Sequence, residues 1–160
     1  MSNSTSGPAP GIREATATDL DTILHHRRHM FIEMGYKDED ALDAMESSSA
    51  PFITRCLGNG SFRGWFVEME GRVVAGGALI VLEFPSSPRD HSTHRAWILN
   101  MYTEPEYRGR GFATSLMETM INWCREHGYR WVSLHASDAG RPLYETLGFK
   151  PTNEMRLMLK

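Results

Sequence analysis

Between residues 96 and 136 the spacing of apolar side chains changes period twice, and nothing else in this 160-residue chain restricts its fold so strongly. Ala96 to Thr103 alternates: Trp97, Leu99 and Met101 lie on one side, Ile98, Asn100 and Tyr102 on the other. That is a strand. From Phe112 the period becomes helical, with Phe112, Ala113, Leu116, Met117, Met120, Ile121 and Cys124 in one stripe and Gly128 at its end. Trp131 to Ala136 reads as a strand again. A helix crossing between two strands predicts that they run parallel.

Around this unit the remaining elements fall into order. Gly11 to Ala15 reads as a short edge strand, and Thr18 or Asp19 caps a helix through Met34, closed by Gly35. A polar, acidic stretch leads to a helix from Pro51 to Leu57, ended by Gly58-Asn59-Gly60. Gly64–Met69 and Arg72–Phe84 are strands joined at Glu70-Gly71, which predicts an antiparallel hairpin. Pro85–Thr93 is a loop, Ala139–Leu147 a short helix with Gly148 behind it, and Phe149–Leu159 a closing strand. The order β-α-α-β-β-β-α-β-α-β is that of an α/β domain, a sheet with helices on both faces. Residues 1–10, MSNSTSGPAP, read as a disordered leader, and residues 11–160 as one domain.

Several classes are excluded on composition. The longest apolar run, Val73–Leu82, has ten residues, about half of what a membrane span needs. The leader carries neither the charge nor the apolar core of a signal peptide. Cys56 and Cys124 are the only cysteines and have no paired spacing, which excludes a disulfide scaffold and a zinc ribbon and fits a reducing cytoplasm. Seventeen basic against 20 acidic residues, with no basic stripe, argue against a nucleic-acid partner. The chain is expected to be a soluble, cytoplasmic protein without a membrane partner.

The loop Arg108-Gly109-Arg110-Gly111-Phe112-Ala113 joins the strand to the long helix. Amides in the first turn of a helix have no partner within it, and the helix dipole leaves positive charge there. Two glycines remove the side chains that would shield those N–H groups, and two arginines add charge, so the loop suits a pyrophosphate. A P-loop is excluded, because no lysine lies between Lys37 and Lys150. A dinucleotide fingerprint lacks its third glycine, where Thr114 stands.

The run Met101-Tyr102-Thr103-Glu104-Pro105-Glu106-Tyr107-Arg108-Gly109-Arg110-Gly111-Phe112-Ala113 resembles the acetyl-coenzyme A signature of the GNAT N-acetyltransferase superfamily, with Arg108, Gly111 and Ala113 at its characteristic positions. A second segment, Pro142-Leu143-Tyr144-Glu145-Thr146-Leu147-Gly148-Phe149, resembles the family's final Tyr-x-x-Leu-Gly-Phe. The resemblance covers residues 11–160 and implies a mixed, mostly antiparallel central sheet, acetyl-coenzyme A as cosubstrate and transfer of its acetyl group to a primary amine. It implies that Met101, Tyr102 and Thr103 meet the pantetheine arm, through the backbone of Met101 and Thr103. Amides of Arg108, Gly109, Arg110, Gly111, Phe112, Ala113 and Thr114 would cradle the pyrophosphate. Tyr144 would be the general acid at the sulfur. Ser137 stands where the family often has asparagine, and its hydroxyl would reach the pantetheine. Proteins of this kind often pair as homodimers, although no strand or patch in the sequence marks an interface.

For a general base the candidates are Glu33, Glu83, Glu104 and His94, none preferred, with a water chain as the alternative. Six acids between Glu33 and Glu46 (Glu33, Asp38, Glu39, Asp40, Asp43, Glu46) face one Lys37 and predict a rim that attracts a small cationic amine. His25, His29 and Glu33 have metal-ligand spacing, but thioester chemistry calls for no metal and none is expected. His91 and His94 fall in a loop that could border the acceptor. The competing classes are a non-catalytic acyl-coenzyme A-binding or regulatory domain and a dinucleotide-binding module.

Overall fold

A computed structural model describes residues 10–160, so the leader expected over 1–10 lies, apart from Pro10, outside the described residues. The strands are β1 (Gly11–Glu14), β2 (Phe62–Met69), β3 (Arg72–Glu83), β4 (His94–Thr103) and β5 (Val132–Leu134). The helices are α1 (Leu20–Glu33), α2 (Glu39–Asn59), α3 (Phe112–Glu126) and α4 (Arg141–Thr146). Single 3₁₀ turns at Ala17–Asp19 and Pro105–Tyr107 complete them.

The five strands lie side by side in chain order, antiparallel from β1 to β4, and β5 joins β4 in parallel. This is the mixed, mostly antiparallel sheet expected. On one face Trp65, Val67, Val74, Leu79 and Ile98 pack with Leu116, Met117, Met120 and Cys124 of α3. On the other, Phe62, Phe66 and Ala78 pack with Ile23 of α1 and Ile53 and Cys56 of α2. The stripe that predicted α3 is the side it buries.

Two expected elements differ. α2 starts twelve residues before Pro51, at Glu39, because Asp38 accepts a hydrogen bond from the Ala41 N–H at 3.2 Å and Glu39 and Asp40 suit the positive helix end. Leu42, Ile53 and Cys56 share its buried face, so the proline lies inside a helix held by tertiary packing. The closing strand from Phe149 to Leu159 does not form. β5 is only three residues long, Pro151 has no N–H to give, and the tail meets the end of β5 through side chains instead. His135 Nε2 lies 3.3 Å from Glu154 Oε1 and 3.2 Å from Arg156 Nη2.

The middle of the sheet is shaped by two adjacent glycines. A Cβ at Gly76 would stand 2.7 Å from His26 Nδ1, and one at Gly77 would meet Met101 of β4 and stand 2.9 Å from Met120 Cε, so α1 and α3 each approach the strand where a side chain is missing. Opposite Gly77 the partner strand bulges: Gly76 pairs with Tyr102 and Ala78 with Leu99, which sets Asn100 and Met101 against one residue. Asn100 takes φ +62°, a left-handed conformation that asparagine tolerates, and its buried amide donates to the Ile23 carbonyl at 3.1 Å.

Candidate active site

Beyond the bulge, β4 and β5 part. Their ladder covers only Ala96–Ile98 against Val132–Leu134, while β4 continues to Thr103. Glu104 donates its N–H to the Val74 carbonyl of β3 at 2.9 Å, so by alternation the backbone groups of Met101 and Thr103 point to the unpaired edge. The Thr103 carbonyl is already taken by Arg108 Nε at 2.9 Å. Its N–H and both groups of Met101 remain available to an extended ligand.

The same gap leads to the start of α3. Gly109 and Gly111 have φ +74° and +80°, and no atom lies within 4 Å of where their Cβ would be. These left-handed residues turn the chain so that its amides face outward. Among the described residues the N–H groups from Gly109 to Thr114 have no acceptor; the first amide of the helix to be satisfied is Ser115, bonded to the Gly111 carbonyl at 3.1 Å. Six consecutive free donors at the positive end of a 15-residue helix form an anion cradle. A strand edge and this cradle in line fit the pantetheine and pyrophosphate of a coenzyme A thioester.

The two loop arginines part company. Arg110 lies over the Tyr107 ring at 5.0 Å and has no carboxylate partner among the described residues, so its charge stays at the cradle. Arg108 turns to the α1 face, where it pairs with Glu33 and sits 5.7 Å from the centre of the Tyr102 ring. Burial raises the Tyr102 phenol pKa and keeps it neutral.

Tyr144 stands on α4, its ring edge-on to Phe149 at 6.0 Å and pressed against Gly140, where a Cβ would come within 2.8 Å. It lines a cavity of about 490 Å³ with Trp97, Leu134, His135 and Met155. Burial pushes its phenol pKa up, so it holds its proton and can donate. Ser137 caps the turn before α4, accepting the Gly140 N–H at 3.1 Å, and keeps its own O–H to give.

The acceptor-side candidates are largely spoken for. Glu104 bonds His25 Nε2 at 2.8 Å, and the His29 ring lies 4.2 Å from that of His25. Glu83 and His94 pair with each other in the β3–β4 ladder, six residues and roughly 20 Å along β4 from the bulge. Arg28 binds Glu39, Asp43 and Glu46 together. With Glu33 on Arg108, the acidic rim retains Asp38 and Asp40 against Lys37. Among the described residues His91 makes no side-chain hydrogen bond or ion pair with the cradle or with Tyr144.

No motif in the sequence marks His26. It is fully buried with Nδ1 unpartnered, and burial first, then the neighbouring imidazole of His25, lower its pKa to about 4. Its only trace in the sequence is its place three residues after Ile23, on the buried side of α1.

Known proteins share this fold. The model of the acetyltransferase (GNAT) family matches residues 21–149. A GCN5-related N-acetyltransferase from Ralstonia eutropha JMP134 superimposes with a TM-score of 0.89 at 34% identity, covering 94% of this chain and 99% of that one. A predicted acetyltransferase from Clostridium acetobutylicum, solved with acetyl-CoA, superimposes with a TM-score of 0.85 at 26% identity, covering 94% and 96%. Human N-acetyltransferase 8B is 29% identical over 93 residues, 56% of this chain. The chain spans about two fifths of the length of the curated relatives it matches. Among the described residues no helix is long and apolar enough to cross a membrane.

Proposed function

The chain belongs to the acetyltransferase (GNAT) family, and on that premise we propose that it transfers an acetyl group from acetyl-coenzyme A to a primary amine by direct attack within a ternary complex. The observation that carries the reading is the line formed by the unpaired edge of β4 and the six free amides before Ser115.

Acetyl-coenzyme A supplies an acetyl group activated as a thioester. Amides of residues 109–114 hold its pyrophosphate, with Arg110 adding charge, and the edge groups of Met101 and Thr103 align the arm. The Arg108 N–H, expected in the cradle, goes instead to the Pro105 carbonyl at 3.4 Å, and its side chain ties the loop to α1. Tyr144 faces the departing sulfur. A tyrosine near pKa 10 is a weaker acid than a thiol near 8.5, so complete proton transfer is uphill by about 2 kcal/mol. Its raised pKa widens that gap, and Tyr144 acts by donating a hydrogen bond as charge develops on sulfur.

The acceptor must lose a proton. An amine of pKa about 10.4 is neutral in roughly 1 molecule of 2,500 at pH 7, a deficit of about 4–5 kcal/mol. Glu33 and Glu104 are paired and Glu83 and His94 lie far along the sheet, so the proton leaves through water. A small cationic acceptor is drawn only by Asp38 and Asp40, the rim acids that remain unpaired by arginine, and the attraction is correspondingly weak.

The test is release of free thiol from acetyl-coenzyme A with a panel of amines, amino acids, peptides and aminoglycosides, wild type against Tyr144→Phe, after a thermal-shift screen with acetyl-coenzyme A, NAD and ATP. The expected result is stabilisation by acetyl-coenzyme A alone and amine-dependent thiol release that the variant loses. Stabilisation without release from any amine would assign the chain to acyl-coenzyme A binding without catalysis. Stabilisation by NAD instead would make it a dinucleotide module.

A further inference from the structure

The cavity of about 490 Å³ that holds Tyr144 is lined by both signs of charge. Three cations, Arg141, Lys150 and Arg156, stand there with two carboxylates, Glu145 and Glu154. Arg156 lies 3.7 Å from Glu154, and Arg141 lies 3.9 Å from Glu145, a loose contact between half-exposed groups that water screens. Among the described residues Lys150 has no carboxylate partner, so the cavity keeps one surplus cation just after α4.

Much of the remaining lining is apolar or aromatic. Trp97 meets the His135 ring edge-on at 4.8 Å, and Phe149 and Met155 continue the wall. The volume falls within the range of about 300–1,000 Å³ usual for small-molecule sites, which combine apolar walls with a few fixed polar groups. The acidic region between Glu33 and Glu46 offers a ligand less. Arg28 and Arg108 pair with four of its six acids, and a polycation finds little there to hold.

We propose that the acceptor is a primary amine that carries its own carboxylate and an apolar arm, an amino acid of the phenylalanine kind. Its carboxylate lies on Lys150 and its arm against Trp97 and Met155. The inference rests on acetyl transfer at Tyr144. A carboxylate there meets the one unpaired charge of the cavity in a charge-assisted contact, and loosely held Glu145 is left for the ammonium. A zwitterion matches a lining of both signs, whereas a polycation meets a surplus of like charge. In the step itself the ammonium gives one proton to water. The neutral nitrogen then bonds to the thioester carbon as the carbon–sulfur bond breaks, and the second proton of the nitrogen ends on the departing sulfur. The products are an N-acetyl amino acid and free coenzyme A.

Matched acceptors test it. Phenylalanine and phenethylamine share the amine and the aromatic arm and differ in the carboxylate. In assays of thiol release from acetyl-coenzyme A, kcat/KM is expected to be about tenfold higher for phenylalanine, with an aminoglycoside lower than either. Lys150→Gln is expected to raise the KM for phenylalanine about tenfold at unchanged kcat and to remove the difference between the two amines. Release from phenethylamine at least as fast as from phenylalanine, or an unchanged KM in Lys150→Gln, would overturn this inference and leave acetyl transfer standing. Release from no amine would overturn acetyl transfer. Calorimetry of phenylalanine with the coenzyme A-loaded protein then decides the cavity: binding that Lys150→Gln weakens about tenfold upholds it, and no binding overturns it.

Discussion

The two sides of the central gap are built from different material. On the side proposed for the cofactor the groups on offer are backbone: amides of residues 109–114 and the edge of Met101 and Thr103, released by two left-handed glycines and a strand that loses its neighbour. On the α1 side they are side chains, and most are occupied with one another: Glu33 with Arg108, Glu104 with His25, and three acids with Arg28. A backbone site is generic, able to hold any ligand with a pyrophosphate and an extended arm. A side-chain site is where individuality resides, and here ion pairs mask it.

If the chemistry depends on Tyr144 while binding depends on backbone, the two should separate. Tyr144→Phe is expected to lower kcat by about 10²–10³-fold with the dissociation constant of coenzyme A unchanged, as calorimetry would show. Because burial raises the phenol pKa, no alkaline fall in kcat from Tyr144 is expected below about pH 10. A loss of affinity in this variant would merge the two sides.

The α1 side carries its own stability cost, visible in acid. His26 has a folded pKa of about 4, below the ordinary 6.5, so between those values the unfolded chain binds a proton that the folded chain refuses. Stability therefore falls as pH drops from 6.5 to 4, by up to about 3 kcal/mol, and is untouched by His26 above 6.5. Urea denaturation at pH 7 and pH 4.5 checks this, and His26→Gln is expected to flatten the difference.

Next in size is Gly111→Val. A β-branched side chain in a left-handed conformation forces the loop to re-form, and coenzyme A affinity is expected to drop by about 30-fold, roughly 2 kcal/mol. Smallest is Glu33→Gln, which frees Arg108 from an exposed ion pair and is expected to change coenzyme A affinity by less than about 5-fold in calorimetry. A larger effect would mean that the two sides are coupled through Arg108.

The same contrast explains what the sequence could disclose. The cradle was legible because glycine spacing and helix period are local, and the resemblance carried by Arg108, Gly111, Ala113 and Tyr144 pointed to one chemistry. The bulge at Asn100 was not legible, since it exists only against Gly77 of another strand. Nor was the pairing of Arg108 with Glu33, 75 residues away, which withdrew one of two charges expected at the phosphate. The acids from Glu33 to Glu46 read as a steering rim, and only packing brings Arg28 to three of them. The tail fails for the opposite reason. Its composition suits a strand, but strand formation requires a free edge in register, and a three-residue β5 supplies too little of one.

The central claim is that backbone donors at the start of α3 grip a pyrophosphate. Titration of ¹⁵N-labelled protein with coenzyme A, followed amide by amide in ¹H–¹⁵N correlation spectra, tests it most directly. The account predicts that Gly109, Arg110, Gly111, Phe112, Ala113 and Thr114 show the largest shifts and saturate together, with Met101 and Thr103 moving at the same concentration. Saturation with those eight amides unmoved, and the shifts gathered elsewhere on the surface, would contradict it.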